Sequence, residues 1–188
     1  LSRYSVPPQF AESVIFAELN RYSALRDQFE IGGLKILYAS FGQDYADFSI
    51  GNFQMKPSFA EFLINDLNTS TFSGLFSTIL TDTKNEAGRK LLIRNLESLQ
   101  KQVLFLAAFY RICEQKFKHR KWRSEEEKLL FFATAYNCGY RQSADYINKK
   151  MYQKHFVTTL FGDGQKYAYA DIALFFFKRQ NYLAKSSN

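Results

Sequence analysis

Residues 91–117 read LLIRNLESLQKQVLFLAAFYRICEQKF. Leu92, Leu96, Leu99, Val103, Leu106 and Tyr110 recur in it at intervals of three and four, the spacing that gathers apolar side chains on one face of an α-helix. The stretch predicts one long helix from Leu91 to Phe117. The same periodicity extends outward in both directions. Pro7-Pro8 opens a helix carrying Phe10, Val14, Ile15 and Leu19 and ending near Asn20 to Ser23. Leu25, Phe29, Leu34 and Leu37 continue the pattern from Ala24 to Ala39, across Gly32-Gly33. Ser58, with Glu61 three residues on, reads as a capping box opening a helix to Leu67. Ser124 and Glu127 form a second such box for a helix that ends at Asn137-Cys138-Gly139. Further helices are predicted from Ser143 to Tyr152 and, after a Gly162-Asp163-Gly164 turn, from Tyr167 to Leu183. Gly42 to Pro57 carries turn residues and reads as a loop or short β-hairpin. Asn68 to Thr83 reads as a polar loop, with one amphipathic helix over Phe72, Leu75, Phe76 and Ile79 as the other possibility. The fold class that follows is mainly α, a helical bundle with a short hairpin or loop insertion around residues 40–57.

A chain of 188 residues fits one domain on a soft prior of ~150 residues each, and it can bury about 70% of its unfolded surface without disulfide or metal support. Apolar residues make up 46% and charged ones 23%, a balance that excludes disordered and fibrous chains. The unusual figures are the twenty Phe and twelve Tyr against one Trp, and a net charge of +7. A basic balance favours a polyanion or a membrane surface as partner, and Tyr in excess of core needs suits a groove that stacks bases or sugars. Composition thus leaves nucleic-acid binders and carbohydrate-active proteins. Neither a zinc finger nor a helix-turn-helix accompanies the basic residues, which argues against nucleic acid. Two cysteines, Cys113 and Cys138, are too few for a disulfide scaffold and read as free buried thiols, with a single bridge between them as the alternative. His119 and His155 belong to no His/Cys cluster, so no metal and no other cofactor is expected. The most apolar runs, Val103 to Phe109 and Ile172 to Phe177, fall short of the ~20 residues of a membrane span. Membrane anchoring stays open.

Two segments can carry chemistry. In Asp47-Phe48-Ser49-Ile50-Gly51-Asn52-Phe53-Gln54-Met55-Lys56-Pro57, glycine permits close backbone approach and the Gln54 amide can both donate and accept. Ala133-Thr134-Ala135-Tyr136-Asn137-Cys138-Gly139 is a capped helix end. In this order the two resemble the goose-type lysozyme and lytic transglycosylase family. There, a helix ending in a catalytic glutamate precedes a Gly-x-x-Gln-x-x-Pro turn and an Ala-Tyr-Asn-Ala-Gly helix end. Gly51, Gln54 and Pro57 keep that spacing, and Ala135-Tyr136-Asn137-Cys138-Gly139 matches with one Ala-to-Cys exchange. The resemblance spans residues 6–183.

What the resemblance implies is a single lysozyme-like α+β domain over 1–188 that cleaves the β-1,4 bond from N-acetylmuramic acid to N-acetylglucosamine in peptidoglycan. One glutamate would act as acid and then as base, with the substrate's acetamido group assisting. Val6-Pro7-Pro8 followed by Glu18 fits the glutamate's helix, and an apolar setting beside Ala17 and Leu19 would raise the carboxyl's pKa. Leu19 departs from the family's Glu-Ser pair, and Glu18 lies thirty-six residues before Gln54, a longer interval than is usual. Glu30, twenty-four before Gln54, is the rival. Ser49, Gly51, Gln54 and Met55 would contact substrate, as would Tyr136, Asn137 and a tyrosine at the start of the last helix, Tyr169 or Tyr167. Asp44 and Asp47 occupy the loop in which the lysozyme branch holds water, so hydrolysis of the same bond is an alternative; a catalytically inactive peptidoglycan-binding module is another. The basic run Lys116 to Arg123, five cations in eight residues, reads as a solvated face or as an attractor for anionic wall polymer. The substrate implies the periplasm or cell envelope, and a chain starting at Leu1 carries the expectation of a separate export segment.

Overall fold

The structure, a computed structural model, describes residues 1–24, 29–157 and 165–186, apart from the side chains of 21–24 and 29–31. It is mainly helical, with one short antiparallel hairpin. After a 3-10 turn (Ser2–Tyr4) come α1 (Pro8–Ala24), α2 (Phe29–Phe41), α3 (Pro57–Asn68), a 3-10 helix (Ser73–Ile79), α4 (Glu86–Glu97), α5 (Leu99–Lys116), α6 (Glu125–Cys138), α7 (Ala144–Lys150), strands β1 (Lys154–Val157) and β2 (Lys166–Ala168), and α8 (Tyr169–Ser186). The chain forms two compact units: Leu1–Ala24 with Cys113–Asn188, and Leu25–Ile112. Among the described residues no helix is long and apolar enough to cross a membrane.

In the first unit α1, α6 and α8 pack on one another. Aromatic edges join them: Phe10 meets Phe132 at 5.6 Å and Phe177 at 6.5 Å between ring centres, both edge-on. Phe16 stacks on Phe176 at 4.0 Å. From Leu129 to Tyr136, α6 is buried on nearly every side, as a central helix in a small core must be. Its start is capped as the sequence predicts, Ser124 Oγ accepting from the Glu127 amide at 3.1 Å. Glu127 does not complete the box. Its carboxylate turns to the Arg123 amide at 2.7 Å and Arg120 Nη2 at 3.1 Å. Ser124→Ala should therefore cost about 1 kcal/mol, read as a lower thermal midpoint with unchanged far-ultraviolet circular dichroism. Arg120 lies 4.6 Å from the Trp122 ring centre and 4.3 Å from that of Phe131, and Lys116 Nζ donates to the Tyr140 carbonyl at 2.9 Å. Two cations of the basic run are thus fastened into the fold, while Lys118, Lys121 and Arg123 are exposed.

In the second unit α4 packs against α2 and α3. The single helix expected over 91–117 is two, separated by Ser98 in extended conformation (φ −84°, ψ 115°). Ser98 closes α4 through its amide on the Asn95 carbonyl at 3.3 Å, and its own carbonyl accepts from Gln102 as α5 begins. The apolar spacing runs through the break unaltered, which is why periodicity does not reveal it. The capping box expected at Ser58 does not form. Pro57 is already helical, Asp47 Oδ1 accepts from the Ser58 amide at 3.1 Å, and Glu61 accepts a short hydrogen bond from the Tyr38 hydroxyl. Arg89 ties this corner together by donating to the Ala39, Ser40 and Thr83 carbonyls.

Burial holds the Glu61 carboxyl above its ordinary value, partly offset by the Tyr38 hydroxyl. A raised carboxyl pKa means that the unfolded chain ionises first, so this group's contribution to stability falls as pH rises past about 4.5. Glu61→Gln, still able to accept from Tyr38, should gain in thermal midpoint relative to wild type as pH increases from acid to neutral. A difference independent of pH would contradict this.

Residues 73–79 form a 3-10 helix burying Phe76 and Ile79, where the sequence reads as a polar loop or one amphipathic helix. The last helix begins at Tyr169 rather than Tyr167, because Lys166–Ala168 pairs with Lys154–Val157. The segment around 40–57, read as a loop or short hairpin, is a loop closed by one bridge, Ile50 to Met55. The Gly162-Asp163-Gly164 turn and the side chain of Glu30 lie outside the described residues.

Candidate active site

Phe10, Val14 and Glu18 follow at steps of four along α1 and so share the helix face that is buried. Glu18 therefore stands on an apolar stripe, only 6% exposed, with its Oε2 atom sealed from solvent. Tyr136 occupies the equivalent place near the end of α6, four residues after Phe132, and is 8% exposed. Tyr169 opens α8 at 2% exposed, its ring meeting Phe156 of β1 edge-on at 5.2 Å. Its hydroxyl donates to the Val14 carbonyl at 3.0 Å. That carbonyl also receives the Glu18 amide in the helical ladder, so Tyr169 pins the turn of α1 that carries Glu18.

The electrostatics connect the three. Burial pushes the Tyr136 hydroxyl well above its usual range, and the neighbouring Glu18 charge raises it further. Tyr169 is raised by burial, then by Glu18 and by Tyr136. Both phenols stay protonated beside a carboxyl in a low-dielectric setting. Tyr169, not Tyr167, is the tyrosine at this site: the Tyr167 hydroxyl donates to Gln165 Oε1 at 2.8 Å on the exposed side of β2.

Asn137 follows Tyr136 on a half-buried edge of the unit, its Oδ1 2.9 Å from His155 Nε2. Cys138 and Gly139 then end α6, with Gly139 at φ +97°, a region that favours glycine. Cys113 is buried, Cys138 is half-buried, and both are free thiols. His155 carried no functional expectation from sequence. It enters through β1, a strand too short for its alternation to show in the sequence.

The second unit holds the other predicted contacts. Ile50 and Met55 pair across a tight turn in which Gly51 (φ +70°) and Gln54 (φ +50°) both adopt left-handed backbone. Gln54 Nε2 donates to the Gly51 carbonyl at 2.9 Å and its amide does the same at 3.0 Å. Behind the turn lies Gln102, wholly buried. Its Oε1 accepts from the Phe53 amide at 2.8 Å and its Nε2 donates to the Leu96 carbonyl. Met55 is 1% exposed and packs as core, whereas Ser49, Gly51 and Gln54 are half-buried. Asp47 caps α3 and faces Lys56 Nζ at 3.4 Å; Asp44 is exposed.

No protein-family model matches the chain, and neither a curated protein nor a solved structure shows significant similarity to it. A carboxyl on an apolar helix face beside two neutral phenols, next to an amide at a half-buried edge, is an arrangement able to give a proton and take it back. Among the described residues no group of three His, Cys, Asp or Glu side chains converges as a metal site.

Proposed function

We propose that the chain is a peptidoglycan-cleaving glycosidase of the lytic transglycosylase type, with Glu18 as its single acid and base. The observation that carries this reading is the meeting of Glu18, Tyr136 and Tyr169, from α1, α6 and α8, in one unit. A carboxyl placed so, on an almost sealed apolar helix face, is the type of group that can give a proton to a glycosidic oxygen and take one back.

In the reaction Glu18 gives its proton to the bridging oxygen while the bond from the muramic anomeric carbon to that oxygen breaks. The muramic acetamido oxygen bonds to the anomeric carbon in its place. The Glu18 carboxylate then takes the proton of the muramic 6-hydroxyl. That oxygen displaces the acetamido oxygen, leaving a 1,6-anhydro ring and a protonated Glu18. Tyr136 and Tyr169, held neutral, add no second negative charge beside the carboxylate. Asn137, next to Tyr136 on a half-buried edge of the same unit, supplies an amide for the acetamido arm. The lysozyme branch of this chemistry needs a loop aspartate to position water; Asp47 is engaged in capping α3, which favours the anhydro outcome.

The test is digestion of purified, dye-labelled sacculi, with soluble dye as the readout. Release that is proportional to enzyme and time is expected, and none above background would overturn the proposal.

A further inference from the structure

Beside Asn137 the first unit carries a groove of about 490 Å³ lined by Asn137, Cys138, Tyr146, Lys150, His155, Phe156 and Val157, within the range of small-ligand sites. No acidic side chain is among them. Lys150 is half-buried at the end of α7, its ammonium 5.6 Å from the Tyr146 ring centre. Among the described residues no carboxylate is paired with it, whereas Lys35, Lys56, Lys90, Lys128 and Lys178 each face one. Burial pushes the Cys138 thiol up while the Lys150 charge pulls it down, which sets that charge at the groove wall beside a neutral thiol.

His155 stands in the same lining. Its Nδ1 is 2.9 Å from the Gln153 carbonyl and its Nε2 2.9 Å from Asn137 Oδ1. Which ring nitrogen donates follows from the tautomer and from the orientation of the Asn137 amide. The groove adjoins the Glu18 site, since Phe156 in its wall meets Tyr169 edge-on and Asn137 follows Tyr136 in sequence.

We infer that this groove is a carboxylate-binding subsite, in which Lys150 receives an acidic substituent of the glycan strand cleaved at Glu18. The inference rests on the glycosidase reading for the source of the carboxylate, the lactyl or peptide group on the muramic sugar. An ammonium that no carboxylate among the described residues balances, in a groove whose lining carries no acidic side chain, favours an anion of the ligand.

The test titrates three probes into 15N-labelled Glu18→Gln protein, which cannot turn them over, with and without Lys150→Met. The probes are inorganic phosphate, the uncharged N-acetylglucosamine tetramer, and the alternating muramic tetramer with free lactyl carboxylates. The readout is the amide shifts of residues 137, 138, 150 and 155–157. Phosphate and the muramic tetramer are expected to shift these amides. Lys150→Met should weaken both by about tenfold or more, the loss of a hydrogen bond to a charged group, and leave the uncharged tetramer's affinity unchanged. Lys150→Arg should restore binding, separating lost charge from lost folding. Equal affinity of the muramic tetramer for both proteins overturns the subsite while the glycan reading stands. Phosphate binding in the groove with neither tetramer bound overturns the substrate assignment and the glycosidase reading with it. No shift with any probe overturns the anion site itself.

Discussion

Replacing Glu18 by Gln is expected to lower muropeptide release by about a thousandfold or more, within the 10²–10⁴ range for a lost general acid and near its upper end because one group serves two proton transfers. The amide keeps the length and an acceptor oxygen of the carboxyl but carries no transferable proton. The accompanying stability effect has the opposite sign to a structural defect. Glu18 is 6% exposed on an apolar helix face, where a neutral amide is cheaper to bury than a carboxylate. The thermal midpoint of Glu18→Gln should therefore equal or exceed that of wild type, the usual mark of a group kept for function at the expense of stability. Glu30→Gln should retain activity. Full activity in Glu18→Gln together with loss in Glu30→Gln would move the catalytic role to Glu30.

The second large effect is at Gly51, through folding. A Cβ there would stand 1.6 Å from Gln102 Nε2 and 2.6 Å from the Leu96 carbonyl oxygen, on a backbone at φ +70°. Left-handed backbone costs a non-glycine residue on the order of 1–3 kcal/mol, and forced overpacking about as much again. Gly51→Ala should thus destabilise by about 2–5 kcal/mol, a fall in thermal midpoint of roughly 5–15 °C for a chain of this size. Adding Gln102→Ala should not rescue it. The Leu96 carbonyl still blocks the Cβ, and the buried Phe53 amide loses its acceptor. Recovery in the double variant would show that Gln102 alone excludes a side chain at this turn.

Helix existence was legible where an apolar stripe and a cap coincided. Ser124 caps α6 and Ser143 caps α7, its Oγ accepting from the Tyr146 amide at 3.2 Å. Legibility failed where the same stripe served two elements. Leu92 and Leu96 bury α4 as Val103 and Leu106 would have continued one helix, and only the extended backbone of Ser98 parts them. The β1–β2 hairpin escaped for a different reason. Four residues against three, with a single buried Phe156 on β1, carry too little alternation to stand out from a helix-dominated sequence. At the site, the ordered motifs selected Glu18, Tyr136 and Tyr169, which the fold brings together in the first unit. They also selected Met55, whose burial suits core packing, and they had no means of selecting His155 or Lys150. Those two reach the groove through the end of α7 and through β1, elements whose positions depend on long-range pairing.

Mass spectrometry of the muropeptides released from purified sacculi tests the central claim most directly, because one spectrum reports both bond cleavage and its chemistry. Wild type should yield fragments ending in 1,6-anhydro muramic acid, lighter by one water than hydrolysed ends, and Glu18→Gln should yield none. Reducing muramic ends from wild type would contradict the intramolecular step. Fragments from Glu18→Gln at the wild-type rate would contradict Glu18 as the acid and base.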